Sequence, residues 1–210
     1  MKALRSEKGF TLIETLVALA LISIVTTTFY SVMFSGARGS ETTRNVTRVT
    51  EEARSGLNRM VRDTREADLL SNVSANSYNV KIDFNGDGAY ENPNADGNYE
   101  DLIFSYQAAS KTIRLTAPPL KSETLIAGVE PFGVEPIFSF SSSLLRYDWD
   151  SNGVTTLAEL EAAPQPPHLD TSVTPGNEAA LLSAVGFEFQ VTSGDSKAEF
   201  FSEAHLRNRR

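Results

Sequence analysis

The sequence predicts an α+β chain: a long N-terminal helix, first membrane-spanning and then amphipathic, packed on an antiparallel β-sheet. Two observations predict it. Residues 10–34 hold one ionisable side chain, Glu14, and neither Gly nor Pro, and apolar residues then recur at helical spacing as far as Leu70. Beyond residue 75 the period changes, and short runs alternate apolar with polar residues as half-buried antiparallel strands do.

A helix over residues 10–34 runs roughly 37 Å at about 1.5 Å per residue, enough to cross a bilayer. Lys2, Arg5 and Lys8 precede it. By the positive-inside rule the amino end stays in the cytoplasm and the rest of the chain crosses. Glu14 is the exception within the segment, because a carboxylate among apolar side chains is costly unless it finds a partner. Gly36 and Gly39 follow, and glycine in a helix interior is worse than alanine by about 1 kcal/mol, so a flexible point is expected there.

From Ser40 the positions Val46, Val49, Ala53, Leu57, Met60, Val61, Thr64, Ala67 and Leu70 form one stripe, with Arg44, Arg48, Glu51, Glu52, Arg59, Arg62 and Glu66 opposite. The predicted organisation is a leader over 1–9, a transmembrane helix over 10–36, an amphipathic helix over 37–75 and a β-rich head over 76–210. Strands are predicted at 78–84, 102–106, 112–116, 137–140 and 144–147. A last hairpin pairs 185–191 with 197–201, turning at Ser193-Gly-Asp195. Such a sheet needs a cover for its apolar face, and the amphipathic helix supplies one. A proline-rich loop runs from Ala163 to Gly176.

Without residues 1–9 the chain keeps 16 basic residues against 26 acidic ones, a net charge near −10. That argues against a nucleic-acid partner, which needs a basic face. There is no cysteine, so the head relies on packing or metal ions. His168 and His205 have no evident partners in the sequence and no nucleophile motif accompanies them, so no enzymatic activity is expected.

One stretch has the pattern of a twelve-residue calcium loop, Asp148-Trp-Asp-Ser-Asn-Gly-Val-Thr-Thr-Leu-Ala-Glu159. Oxygens at alternate positions surround a hard cation, a glycine at position 6 makes the sharp turn, and a carboxylate at position 12 closes the shell. Asp148, Asp150, Asn152 and Glu159 supply side chains in that scheme. Val154 supplies its carbonyl, and Thr156 its hydroxyl or a bridging water. A strand-like run precedes the loop in place of an entering helix, so the pattern is a loop resembling an EF-hand. A second loop repeats the first half of the pattern with Asp83, Asn85 and Asp87, but has Asn94 at the closing position; Asp96 or Glu100 stands further along. Hairpin turns use the same Asn-Gly and Asp-Gly pairs.

The basic leader, Gly9-Phe10, Glu14 and the apolar run together resemble the N-terminal signal of type IV prepilins and type II secretion pseudopilins. The run Leu57-Asn-Arg-Met-Val-Arg-Asp-Thr-Arg-Glu-Ala67 resembles the helix end of PilW-type minor pilins and J-type pseudopilins, and Leu206-Arg-Asn208 resembles the close of PilW-type chains. The resemblance implies a type IV pilin-like fold and a structural function. Prepilin peptidase would cut after Gly9 and methylate Phe10, leaving the apolar segment on the mature chain, unlike an ordinary secretory signal. Glu14 would pair with the Phe10 amine of a neighbouring subunit. The implied partners are other pilins or pseudopilins, the peptidase and the inner-membrane assembly platform. The implied path is a single-pass bilayer precursor, then a pilus or periplasmic pseudopilus. Ser31 stands where major pilins often have proline, and Glu14 sets the chain apart from K-type pseudopilins, which lack it. The alternatives are a minor pilin of a pilus or its priming or tip complex, a J-type pseudopilin, and a membrane-anchored calcium-binding adhesin or sensor outside any filament.

Overall fold

The computed structural model describes residues 11–119, 121–194 and 196–207. The processing pair Gly9 and Phe10, the leader, the turn residue Asp195 and Asn208 lie outside the described residues. Two compact units divide at Asn45 and Val46.

The first unit is helical from Leu12, within α1 (Leu12–Glu66). From Thr11 to Asn45 every residue is exposed. The polar residues of this segment satisfy themselves within the helix. Ser23, Thr27 and Thr28 donate their hydroxyls to the carbonyls four residues earlier at 2.8, 2.8 and 2.9 Å, which removes their need for outside partners. Helix continues through Gly36 and Gly39, and Thr43 donates to the Gly39 carbonyl at 3.0 Å. Neither glycine has a neighbour within 4 Å of where a Cβ would stand, so no close approach calls for glycine at either position.

In the second unit the rest of α1 buries Ala53, Gly56, Leu57, Met60, Asp63 and Thr64. Five strands form one antiparallel meander in chain order: β1 (Leu69–Ser74), β2 (Ser77–Lys81), β3 (Asp101–Gln107), β4 (Thr112–Ala117) and β5 (Lys121–Ala127). A second sheet has the order β12-β11-β7-β8, from β7 (Phe138–Ser142), β8 (Thr155–Thr156), β11 (Ala184–Ser193) and β12 (Ser196–His205). A short strand, β6 (Val129–Pro131), also pairs with β11. The remaining elements are α2 (Leu157–Ala162) and the two-residue pair β9 (Pro164–Gln165) and β10 (His168–Leu169).

Aromatic rings join the two sheets. Tyr78 on β2 stacks on Phe104 at 5.3 Å and meets Phe138 and Phe140 of β7 edge-on at 5.1 and 5.8 Å. Its hydroxyl is 3.0 Å from that of Thr64, which ties α1 to the same cluster. Burial holds the Tyr78 phenol protonated well above its ordinary range. The helix comes closest at Gly56, where a Cβ would stand 2.5 Å from Ile126 Cγ1 and 2.9 Å from the Leu125 carbonyl.

Two expectations are corrected. Helix stops at Glu66, short of residue 75, and Leu69–Ser74 is strand β1 paired with β2. Leu70 is buried there, and its place in the helical stripe coincides with the inward position of the strand. The run Leu144–Tyr147 contains a 3-10 turn, Leu145–Tyr147, where a strand was expected. Ser142 accepts from the Leu144 amide at 3.2 Å and donates to the Leu181 carbonyl at 2.6 Å, which bends the chain out of β7. The turn buries Tyr147, while Leu145 points outward.

Candidate functional sites: an apolar N-terminal segment and two acidic loops

Glu14 lies in the first turn of α1, exposed, with its amide donating to the Thr11 hydroxyl at 3.3 Å. The apolar side chains around it are equally bare. Leu12, Ile13, Leu16, Leu19, Ile22, Val25, Phe29 and Phe34 each keep more than half of their surface open. Among the described residues, α1 is the one helix long and apolar enough to cross a membrane.

The loop from Asp148 to Glu159 lies between the 3-10 turn and α2. Oxygens of Asp148, Asp150 and Glu159 all lie within 4.8 Å of one another. Their convergence follows from a set of local hydrogen bonds. Asp148 accepts from the amides of Asn152 and Gly153 at 3.1 and 2.8 Å, Asp150 from Asn152 at 3.0 Å, and Asn152 from Val154 at 2.8 Å. Gly153 has φ +89°, which a side chain would strain, so the glycine at position 6 is required by the turn.

Glu159 closes the loop from the first turn of α2. It accepts from the Trp149 amide at 3.0 Å, the Thr156 amide at 2.7 Å and the Thr156 hydroxyl at 2.9 Å. Thr156 accepts in return from the Glu159 amide, which completes a capping box at the helix start. Partial burial works to raise the Glu159 carboxyl, but the hydrogen bonds from Thr156, Trp149 and Asp150 outweigh it and set it below its ordinary range. The Thr156 hydroxyl thus both donates and accepts within the cap. The donor set is oxygen only, which suits a hard cation.

The second loop has similar wiring, with its first carboxylate holding the amides three and five residues on instead of four and five. Asp83 accepts from the amides of Gly86 and Gly88 at 2.6 and 2.9 Å, Asn85 from Asp87 at 3.1 Å, and Asp87 from Ala89 at 2.8 Å. Asn94 does not close it. Glu100 does, accepting from the Phe84 and Glu91 amides at 3.1 Å each. These are loop positions 2 and 9, the same two whose amides Glu159 holds in the first loop. Asn94 instead braces Glu100, its side-chain amide donating to that carboxylate while its own oxygen accepts from the Asp96 and Asn98 amides. Glu100 is fully buried. Asp96 is exposed and does not take the closing position.

Both histidines have partners that the sequence did not reveal. His168 stacks on the Trp149 ring at 4.2 Å, and His205 lies 3.6 Å from Glu203.

Residues 4–30 match the prokaryotic N-terminal methylation motif. The match begins in the basic leader, passes through Gly9-Phe10 and Glu14, and ends inside the apolar part of α1. It supports a pilin-like protein, a type IV pilin or a pseudopilin, of the kind that prepilin peptidase processes and that assembles with other pilins. Together with the one apolar helix it supports anchoring in a membrane. No curated protein and no solved structure matches the chain.

Proposed function

We propose that the chain is a structural minor pilin, similar to the PilW type, that is cut after Gly9, methylated at Phe10 and built into a type IV pilus or its priming complex. One observation carries this reading: the methylation motif over residues 4–30 runs into a helix whose apolar side chains are exposed. A hydrophobic surface of that size needs either lipid or other helices. The same segment meets both needs in turn, lying in the bilayer before assembly and among neighbouring helices afterwards. Glu14 adds specificity, since its carboxylate is satisfied in the bundle by a neighbour's Phe10 amine.

We further propose that the head holds calcium in its two acidic loops. Asp148, Asp150, Asn152, the Val154 carbonyl and Glu159 form the first site, with water at Thr156. Asp83, Asn85, Asp87 and Glu100 form the second. The similar hydrogen bonding of the two loops supports this reading, and in the first loop so does the clustering of Asp148, Asp150 and Glu159, carboxylates that repel one another without a cation.

Intact-mass measurement of the protein from its own cells tests the assignment. The expected mass is that of a chain beginning at N-methylated Phe10. An uncleaved chain identifies a membrane-anchored protein outside any filament. Deleting the gene separates the filament types: loss of surface pili supports the minor pilin, whereas loss of protein secretion with pili intact identifies a J-type pseudopilin.

A further inference from the structure

We propose that β12 is a pairing edge through which two copies of this chain join as an antiparallel, two-fold-symmetric strand pair centred on Phe200. This goes beyond the pilin reading and does not depend on it. β12 ends its sheet, with β11 on one side and no strand on the other among the described residues. Its register with β11 is unbroken over ten residue pairs.

The open side can be read from the neighbouring bonds. In β11 the amide of Glu188 donates to the Ile137 carbonyl and that of Thr192 to Gly128, so even-numbered residues of β11 face away from β12. Odd-numbered residues of β11 therefore bond the even-numbered residues of β12. Lys197, Glu199, Phe201 and Glu203 are left with their N–H and C=O groups turned to the open edge. At the next position of that kind beyond the strand, the Arg207 amide donates to the Arg65 carbonyl at 3.1 Å, and α1 lines a groove with His205 and Leu206, so the helix borders this edge at its C-terminal end. Long edges are normally shortened, bulged, interrupted by proline or covered. β12 has neither proline nor bulge; its exposed charges are Lys197, Glu199 and Glu203, and Phe201 between them is 56% exposed.

Charge and strand overlap together select the register: axes at Ala198 and Ser202 also keep like charges apart within the strand but leave much of it unpaired, whereas an axis at Phe200 pairs nearly its whole length. The exposed row reads Lys197, Glu199, Phe201, Glu203, His205. A two-fold axis at Phe200 sets Lys197 opposite Glu203 at both ends and Glu199 opposite Phe201, with no like charges facing. Moving the axis to Phe201 sets Glu199 against Glu203 twice and Lys197 against His205. An axis at Glu199 sets that carboxylate against its own copy. Like charges directly opposite destabilise a strand pair and opposite charges stabilise it, so the row is self-complementary in the Phe200 register. On the inner face that register brings Phe200, already stacked on Phe189 at 5.4 Å, against its symmetry copy.

The absence of cysteine makes the test unambiguous. In the full chain in detergent, Lys197→Cys with Glu203→Cys puts thiols about 20 Å apart along one strand but about 5.5 Å apart in Cα across the pair. Only the second separation suits a disulfide. Oxidation is expected to give a covalent dimer, and the control pair Lys197→Cys with His205→Cys, matched to the Phe201 register, is expected to give none. Sedimentation of Lys197→Glu should show dimerisation about tenfold weaker, and Lys197→Glu with Glu203→Lys should restore it. All of these positions are exposed, so folding is not at risk. No dimer from the first cysteine pair, equal dimer from both pairs, or failure of the charge swap to restore association overturns the proposal.

Discussion

At the scale of single residues, two glutamates show how the same side chain takes opposite roles according to its surroundings. Glu100 is buried and held by two backbone amides and Asn94, so the chain alone fixes its position. Sequence spacing alone could not single it out over Asp96. The closing position of the second loop is displaced by six residues, and Asn92 and Asn94 bind the intervening backbone to bring Glu100 back. Glu14 is the reverse case, exposed and without a charged partner among the described residues. Glu14→Ala removes a costly charge from an apolar segment, so insertion into membranes should be unchanged or improved. Entry into filaments should be lost. Fractionation and shearing of cells measure both, and equal amounts of variant and wild type in sheared pili would show that the amine-pairing role is wrong.

At the scale of elements, the close approach of α1 to β5 depends on Gly56. Alanine is the better helix former by about 1 kcal/mol. Its Cβ, however, would meet Ile126 at 2.5 Å and the Leu125 carbonyl at 2.9 Å, and a backbone oxygen cannot move aside as a side chain can. Overpacking of this kind typically costs 1–3 kcal/mol. Gly56→Ala should therefore destabilise the head by about 1 kcal/mol net in denaturant unfolding, while the exposed neighbour change Ser55→Ala should not. A Gly56→Ala variant as stable as wild type would mean that the helix does not rest on β5. The helix stripe and six strands were legible in the sequence because each has a clean period. Leu69–Ser74 and Lys121–Ala127 were not. Leu70 satisfies helix and strand spacing at once, and Lys121-Ser-Glu-Thr-Leu carries too little apolar alternation to mark a strand that contributes a single fully buried residue, Ile126. The division into two sheets was also hidden, since the contacts of Tyr78 with Phe138 and Phe140 join residues about sixty apart.

At the scale of the molecule, charge is segregated along the chain. Residues 36–66 hold seven arginines against five carboxylates, whereas residues 67–210 hold nine basic residues against twenty acidic ones. A head so acidic repels itself, and with no disulfide it has few means of offsetting that repulsion. On the calcium proposal, each ion bound would add two positive charges among these carboxylates. A ligand present at a hundred times its dissociation constant stabilises the folded state by about 2.7 kcal/mol. For a domain of this size that corresponds to a rise in melting temperature of about 5–10 °C for each occupied loop. Thermal melts in calcium and in chelator, at matched ionic strength, should show this rise for wild type. Glu159→Ala should lose the part due to the first loop and Glu100→Gln the part due to the second, and the double variant should melt alike in both buffers. The comparison within each variant is the decisive one, because replacing buried Glu100 also disturbs its bonds to Phe84 and Glu91 without metal. Equal melting of wild type in calcium and chelator, at calcium up to the millimolar range expected of extracellular modules, would reduce both loops to acidic turns.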